Sequence, residues 1–272
     1  SLELFVGDPL VCLTICCLII LGGIGFIVTV DLYNWGRKRV RKEERRPHLT
    51  LHTRIVLVST ASLLVLGTVL TLGLEYDHTL KDLNFWEKLN ASFFQSVTAR
   101  TAGYATIPQG ELGDATKLVT IILMFIGASP SSTGGGIKTT TFVVLVATVV
   151  SISRGRDETV INKRRVDKSV VYRAMTIVAM AFLVIAITSG VIMVTTPPEV
   201  SAIDAVYEAV SAFGTVGLTT GLTPDLSIVA KILVMLTMFI GRVGPISLVL
   251  ALTMKHSGGP GKILPEGKVI VG

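Results

Sequence analysis

Five apolar runs set what this chain can fold into. They cover roughly residues 10–32, 55–74, 118–152, 170–194 and 228–254. Each reaches the ~20 residues a helix needs to cross the ~30 Å hydrocarbon core of a bilayer. A soluble domain of 272 residues has no interior large enough for them; half the residues are hydrophobic and the mean hydropathy is +0.67. The run over 118–152 exceeds one span, and Gly-rich sequence interrupts it. The first run has no basic block before it and a dense one after it, which argues against a cleaved signal peptide. An all-α membrane protein is expected.

Charge placement orients the spans. Arg37, Lys38, Arg39, Arg41, Lys42, Arg45 and Arg46 follow the first run, and Arg154, Arg156, Lys163, Arg164, Arg165 and Lys168 separate the third from the fourth. The opposite loops carry Glu75, Asp77, Asp82, Glu199, Asp204 and Asp225. This is the positive-inside asymmetry, which puts the basic linkers and the C-terminus in the cytoplasm. It also accounts for the formal net charge of +6 without a nucleic-acid partner. Cys12, Cys16 and Cys17 lack metal-site spacing and read as small apolar helix residues. Asn90-Ala91-Ser92 is a weak sequon inside a predicted helix. His48, His52, His78 and His256 lie in loops or at span edges, so no catalytic or metal constellation forms, and no enzyme is expected.

The chain repeats itself. Thr101 and Gly103 recur as Thr215 and Gly217, Lys117 as Lys231, and Met124-Phe125-Ile126-Gly127 as Met238-Phe239-Ile240-Gly241, all shifted by 114. Each copy runs from a basic linker through a span and an acidic loop to a short helix, a Gly/Thr segment and a second span. The short helices, near 85–99 and 202–213, are too short to cross a bilayer and start and end on one face, so both are re-entrant. Gly22 and Gly25 match Gly241 and Gly244 with a shift of 219, so the first run reads as the second span of an earlier copy. That reading makes the chain a C-terminal portion.

After the short helices come Thr101-Ala102-Gly103-Tyr104 and Thr215-Val216-Gly217-Leu218. Both are degenerate forms of the Thr-Val-Gly-Tyr-Gly filter of potassium channels. A dehydrating cation needs oxygen ligands, and backbone carbonyls serve only if the chain is extended and aims them one way. Glycine allows that backbone, and the preceding helix turns its partially negative C-terminus toward the ion. A lone T-x-G also fits a plain helix C-cap; two copies in register argue for filters.

Two further features sit at mid-span. Gly127-Ala128-Ser129-Pro130-Ser131-Ser132-Thr133-Gly134-Gly135-Gly136-Ile137-Lys138 cannot propagate a helix. It reads as an intramembrane loop, with a simple kink as the alternative. It is no phosphate loop, because Ile137 rather than Gly precedes Lys138. Arg242 lies in the last run, where a charge is costly and usually faces a pore or cavity. The expectation is a gate in which Arg242 meets carbonyls or hydroxyls of the loop, involving Gly127, Ser129, Thr133, Gly134, Gly135, Gly136 and Lys138; a structural Arg between helices is the alternative.

These segments, with 98–104, 214–219, 129–141, 241–245 and the tail 268–272, resemble the membrane subunit of the Ktr/Trk/HKT superfamily of potassium transporters, closest to its bacterial KtrB type. The resemblance covers essentially the whole chain. It implies four span–pore–span repeats around one potassium pathway in a bacterial plasma membrane. Thr101, Ala102, Gly103, Tyr104, Thr215, Val216, Gly217 and Leu218 would be the potassium-binding filter residues, with Gly103 and Gly217 as the filter glycines and the carbonyls of Thr101, Ala102, Thr215 and Val216 touching the ion. It implies residues 1–36 as a second span, 37–54 as a basic linker, and 55–153 as a third repeat with its loop at 127–136. A linker at 154–169, a fourth repeat at 170–256 and a cytoplasmic tail at 257–272 follow. It also implies a homodimer and a cytosolic nucleotide-binding regulatory subunit of KtrA/TrkA type docked on the basic linkers. The nucleotide (ATP or ADP) sits on that partner; this chain binds no covalent cofactor and carries K+ as cargo. An ion-coupled secondary transporter with broken helices is the alternative class.

Overall fold

The computed structural model describes residues 2–41, 48–156, 158–197 and 200–244. Lys42, Arg45, Arg46, Glu199, His256, the last run beyond residue 244 and the tail expected at 257–272 lie outside the described residues.

Helix α1 (Pro9–Ile24) starts on Asp8, whose carboxylate accepts from the N–H groups of Leu10 and Val11, with Pro9 in the first turn. It stops at Gly25, which has φ 92 and ψ 148, and the chain resumes as α2 (Phe26–Val40) bent by 97°. One unbroken span over 10–32 is therefore incorrect. Only glycine suits this turn, since a Cβ there would lie 2.5 Å from the Pro130 carbonyl oxygen. Helix α3 (Leu51–Glu75) follows, capped by Thr50. Asp31 on α2 accepts from the hydroxyls of Thr50 at 3.0 Å and Thr53 at 2.6 Å, fixing α2 to the start of α3.

The short helix α4 (Phe85–Thr98) is set by an Asn84/Glu87 capping box. Helix α5 (Asp114–Phe125) and α6 (Thr139–Ser153) flank the Gly-rich loop. The linker after α6 is not wholly irregular. It holds a hairpin of β1 (Val160–Ile161) and β2 (Arg164–Arg165), turned by Asn162 and Lys163 at φ 48 and 62, as a two-residue turn with positive φ requires. Helix α7 (Lys168–Thr195) is long, α8 (Ala202–Gly214) short, and α9 (Ile228–Val243) ends at Gly244 with φ 89 and ψ 131.

Helices α3 and α7 are long and apolar enough to cross a membrane, and the bent α1–α2 pair is a third candidate span. Helix α1 stops at Gly25 and α9 at Gly244, positions that match by the shift of 219, whereas α5 stops at Phe125, four residues earlier in its copy than α9. Gly25 and Gly244 have similar dihedral angles.

The short helices occupy the interior. Helix α4 packs against α1 and α3, and α8 against α5, α7 and α9. Phe94, Tyr207 and Phe213 are fully buried. By contrast Val65, Leu66, Phe182 and Leu183 on the long helices are exposed, an apolar surface suited to lipid. Polar links tie the copies together. Lys117 on α5 pairs with Asp204 on α8 at 2.8 Å. Gln95 and Gln109 exchange amide hydrogen bonds, and Tyr207 donates to Gln109 at 2.8 Å.

Candidate ion pathway

Each short helix delivers its Gly/Thr segment to the same place. Thr101 and Gly103 have φ 68 and 75; Thr215 and Gly217 have φ 50 and 92. Ala102 and Val216, between them, have negative φ. Alternating the sign of φ gathers N–H groups on one side and carbonyls on the other. Positive φ is uncommon for a β-branched residue and costs roughly 1–3 kcal/mol. Local hydrogen bonds hold it: Ala102 N–H to Thr98 O at 3.1 Å, Thr215 N–H to Ala212 O at 3.0 Å, and Val216 N–H to Ser211 O at 2.9 Å. The positive φ of both threonines was not visible in sequence.

Side chains finish each segment. Thr98 donates to the Tyr104 carbonyl and Ser211 to the Leu218 carbonyl, both at 2.6 Å. Sequence reasoning missed these clamps; the signal was a hydroxyl residue late in each short helix. The carbonyls of Thr101, Ala102, Thr215 and Val216 accept no hydrogen bond among the described residues. They are free acceptors, whereas those of Tyr104 and Leu218 are already engaged. The segments touch: a Cβ on Gly103 would overlap the Val216 carbonyl oxygen, and one on Gly217 would sit 3.7 Å from the Gly103 Cα. The C-termini of α4 and α8 add their negative dipole ends beside these carbonyls.

The surroundings are asymmetric. Buried Glu208 on α8 accepts from the hydroxyls of Thr219 and Thr223 and from Thr220 N–H; its counterpart by repeat is Phe94. Arg100 beside the other segment is buried, and its Nε and Nη2 have no acceptor among the described residues. Neither residue stood out in sequence, because each departs from the repeat rather than following it.

The Gly-rich loop packs against both segments. A Cβ on Gly134 would overlap the Thr101 hydroxyl, one on Gly135 the Thr215 hydroxyl, and one on Gly127 the Gly135 carbonyl. Gly136 turns with φ 69 against Gly214. Ile126 and Ile137 form a parallel bridge that closes the loop's base. The loop is also bound to the break in α1: Ser129 N–H donates to Gly23 O at 3.1 Å and Phe26 N–H to Ser131 O at 3.0 Å. Two cations grip successive carbonyls. Arg242 Nη1 donates to Thr133 O, and Lys138 Nζ donates to Gly134 O at 2.6 Å. Arg242 reaches there because Gly241 lets α9 lie against α8; a Cβ at 241 would overlap the Phe213 carbonyl.

A family model described as TrkH, a cation transport protein, matches residues 1–259. The chain belongs to the TrkH cation transport family. Its members are transporters rather than enzymes. This TrkH-family chain is 37% identical over 274 residues to the Ktr system potassium uptake protein B of Bacillus subtilis, covering 100% of this chain and 59% of that protein. It is 38% identical to the potassium/sodium uptake protein NtpJ of Enterococcus hirae, covering 94% of this chain and 56% of that protein. Among solved structures, the potassium transporter TrkH from Vibrio parahaemolyticus shares the fold, with a TM-score of 0.68 at 18% identity over 91% of this chain and 53% of that one. The chain thus spans a little over half the length of the relatives it matches.

Proposed function

We propose that this chain forms part of a channel-like pore for potassium uptake across a bacterial plasma membrane. The observation that carries the reading is the pair of in-register segments at Thr101–Gly103 and Thr215–Gly217. Their alternating backbone leaves four adjacent carbonyls free to replace the water of a dehydrating cation. Tyr104 and Leu218 serve by anchoring the ends. The loop over 127–136, held by Arg242 and Lys138, closes the pathway on the side of the basic linkers, which faces the cytoplasm. Displacing it opens the pathway. The described basic residues of the linkers, with the hairpin that presents Arg164 and Arg165, suit an acidic docking surface on a cytosolic nucleotide-binding regulatory subunit. A homodimer completes the assembly.

The test is rubidium uptake by a bacterium lacking its own potassium uptake systems and expressing the full-length transporter. The expected result is saturable uptake that potassium competes away and sodium does not. Uptake indifferent to potassium removes the filter reading. The name of the Enterococcus relative favours a second reading, in which sodium takes part. Uptake that rises with external sodium at fixed potassium would support coupling; uptake independent of sodium would support a simple pore.

A further inference from the structure

A groove of about 460 Å³ runs between α3 and α6. Small and apolar side chains line most of it: Ser59 and Ser62 from α3, and Val146, Ala147 and Val150 from α6. Ser59 donates to the Val56 carbonyl at 3.2 Å, so its hydroxyl is satisfied within its own helix. At the mouth the character changes. Helix α6 ends at Ser153, and Gly155, at φ 70, turns the chain so that Arg154 and Arg156 both line the groove's end. Among the described residues neither guanidinium is paired with a carboxylate, whereas the nearby Arg165 is paired with Glu158 at 2.9 Å.

We infer that this groove binds an anionic phospholipid, with an acyl chain along Val146 and Val150 and the headgroup phosphate between Arg154 and Arg156. An apolar trough on the surface of a membrane-spanning bundle meets lipid chains before anything else. Its charged end lies beside the basic linker, on the leaflet that carries anionic lipid if that linker is cytoplasmic. Guanidinium groups suit phosphate through paired N–H donors. The site divides the linker's work: Arg154 and Arg156 face the bilayer, while Arg164 and Arg165 project on the hairpin. The inference stands on membrane insertion and not on which ion is carried.

The experiment uses the purified full-length transporter, delipidated in mild detergent, and spin-labelled phosphatidylglycerol as the probe. Immobilised probe is expected to drop about fivefold for Arg154→Gln or Arg156→Gln alone and further for the double variant, in line with the usual contribution of a basic residue at an anionic surface. Ser62→Leu, which fills the trough and keeps both arginines, is expected to release the probe too. Labelled phosphatidylcholine is expected to bind no better to the parent than to the double variant. Each variant is checked for an unchanged elution profile, and rubidium uptake reports independently on the pore. Retention of phosphatidylglycerol by the double variant overturns the inference. So does equal competition by inorganic phosphate, which would mark a soluble-anion site. A disulfide between copies carrying Val150→Cys would mark a subunit contact there and overturn it as well.

Discussion

Thr101 and Thr215 carry an uncommon backbone for the sake of their neighbours' carbonyls. A β-branched residue at positive φ persists only where its surroundings over-determine it. Here the restraints are short-helix carbonyls on one side and the hydroxyls of Thr98 and Ser211 on the other. Removing a clamp leaves the next carbonyl free to swing toward the pathway. Thr98→Val and Ser211→Ala are therefore expected to lower potassium preference over sodium several-fold, measured by competition with rubidium uptake at matched expression. Unchanged competition in both would show that the clamps do not shape the filter. Arg242 acts on the loop below. Its bond to Thr133 O is charge-assisted, a class worth ~1.5–3 kcal/mol, so Arg242→Ala is expected to shift the loop's closed population by about tenfold or more. Flux under otherwise closed conditions should rise accordingly, and flux equal to the parent would dismiss the gate.

At the scale of elements, the helix starts follow simple rules. Asp167 caps α7, and its carboxyl is held below the usual carboxylate range by the Ser169 backbone N–H and then by the Ser169 hydroxyl. A depressed folded-state value means the contribution is present above the unfolded pKa and lost as pH falls through the folded one. Asp167→Ala is expected to lower stability near neutral pH, and Asp167→Asn much less, because Asn is as good a cap. Thermal unfolding at neutral pH checks this; equal losses for both would assign the effect to charge instead. The short helices, the Gly-rich interruption and the long spans were legible in sequence, since length, apolar periods and glycine runs act locally. The 97° bend at Gly25 was not. Gly25 sits against the Pro130 carbonyl, which arrives from a loop more than a hundred residues later. The hairpin was equally hidden, because its strands are two residues long and Asn-Lys is not a strong turn signal.

For the whole molecule, the repeat explains why so much was readable and also where reading stopped. A shift of 114 located both Gly/Thr segments, but a shift only says which positions correspond. It does not say that Gly134 lies on Thr101 of its own copy and Gly135 on Thr215 of the next, since those contacts join elements far apart along the chain. Nor does it mark Lys117 and Asp204, whose 2.8 Å pair joins one copy to the next. The central claim is that the two Gly/Thr segments are the ion-selecting surface. The most direct test is the ratio of potassium to sodium affinity in rubidium-uptake competition, measured on the full-length transporter carrying Gly103→Ser or Gly217→Ser. Both glycines have positive φ, so both substitutions strain the backbone, but only at 103 would the new Cβ overlap the facing carbonyl of Val216. The account predicts that the ratio falls by about tenfold or more for Gly103→Ser and falls less for Gly217→Ser. A parental ratio in both variants, with normal expression, would contradict it.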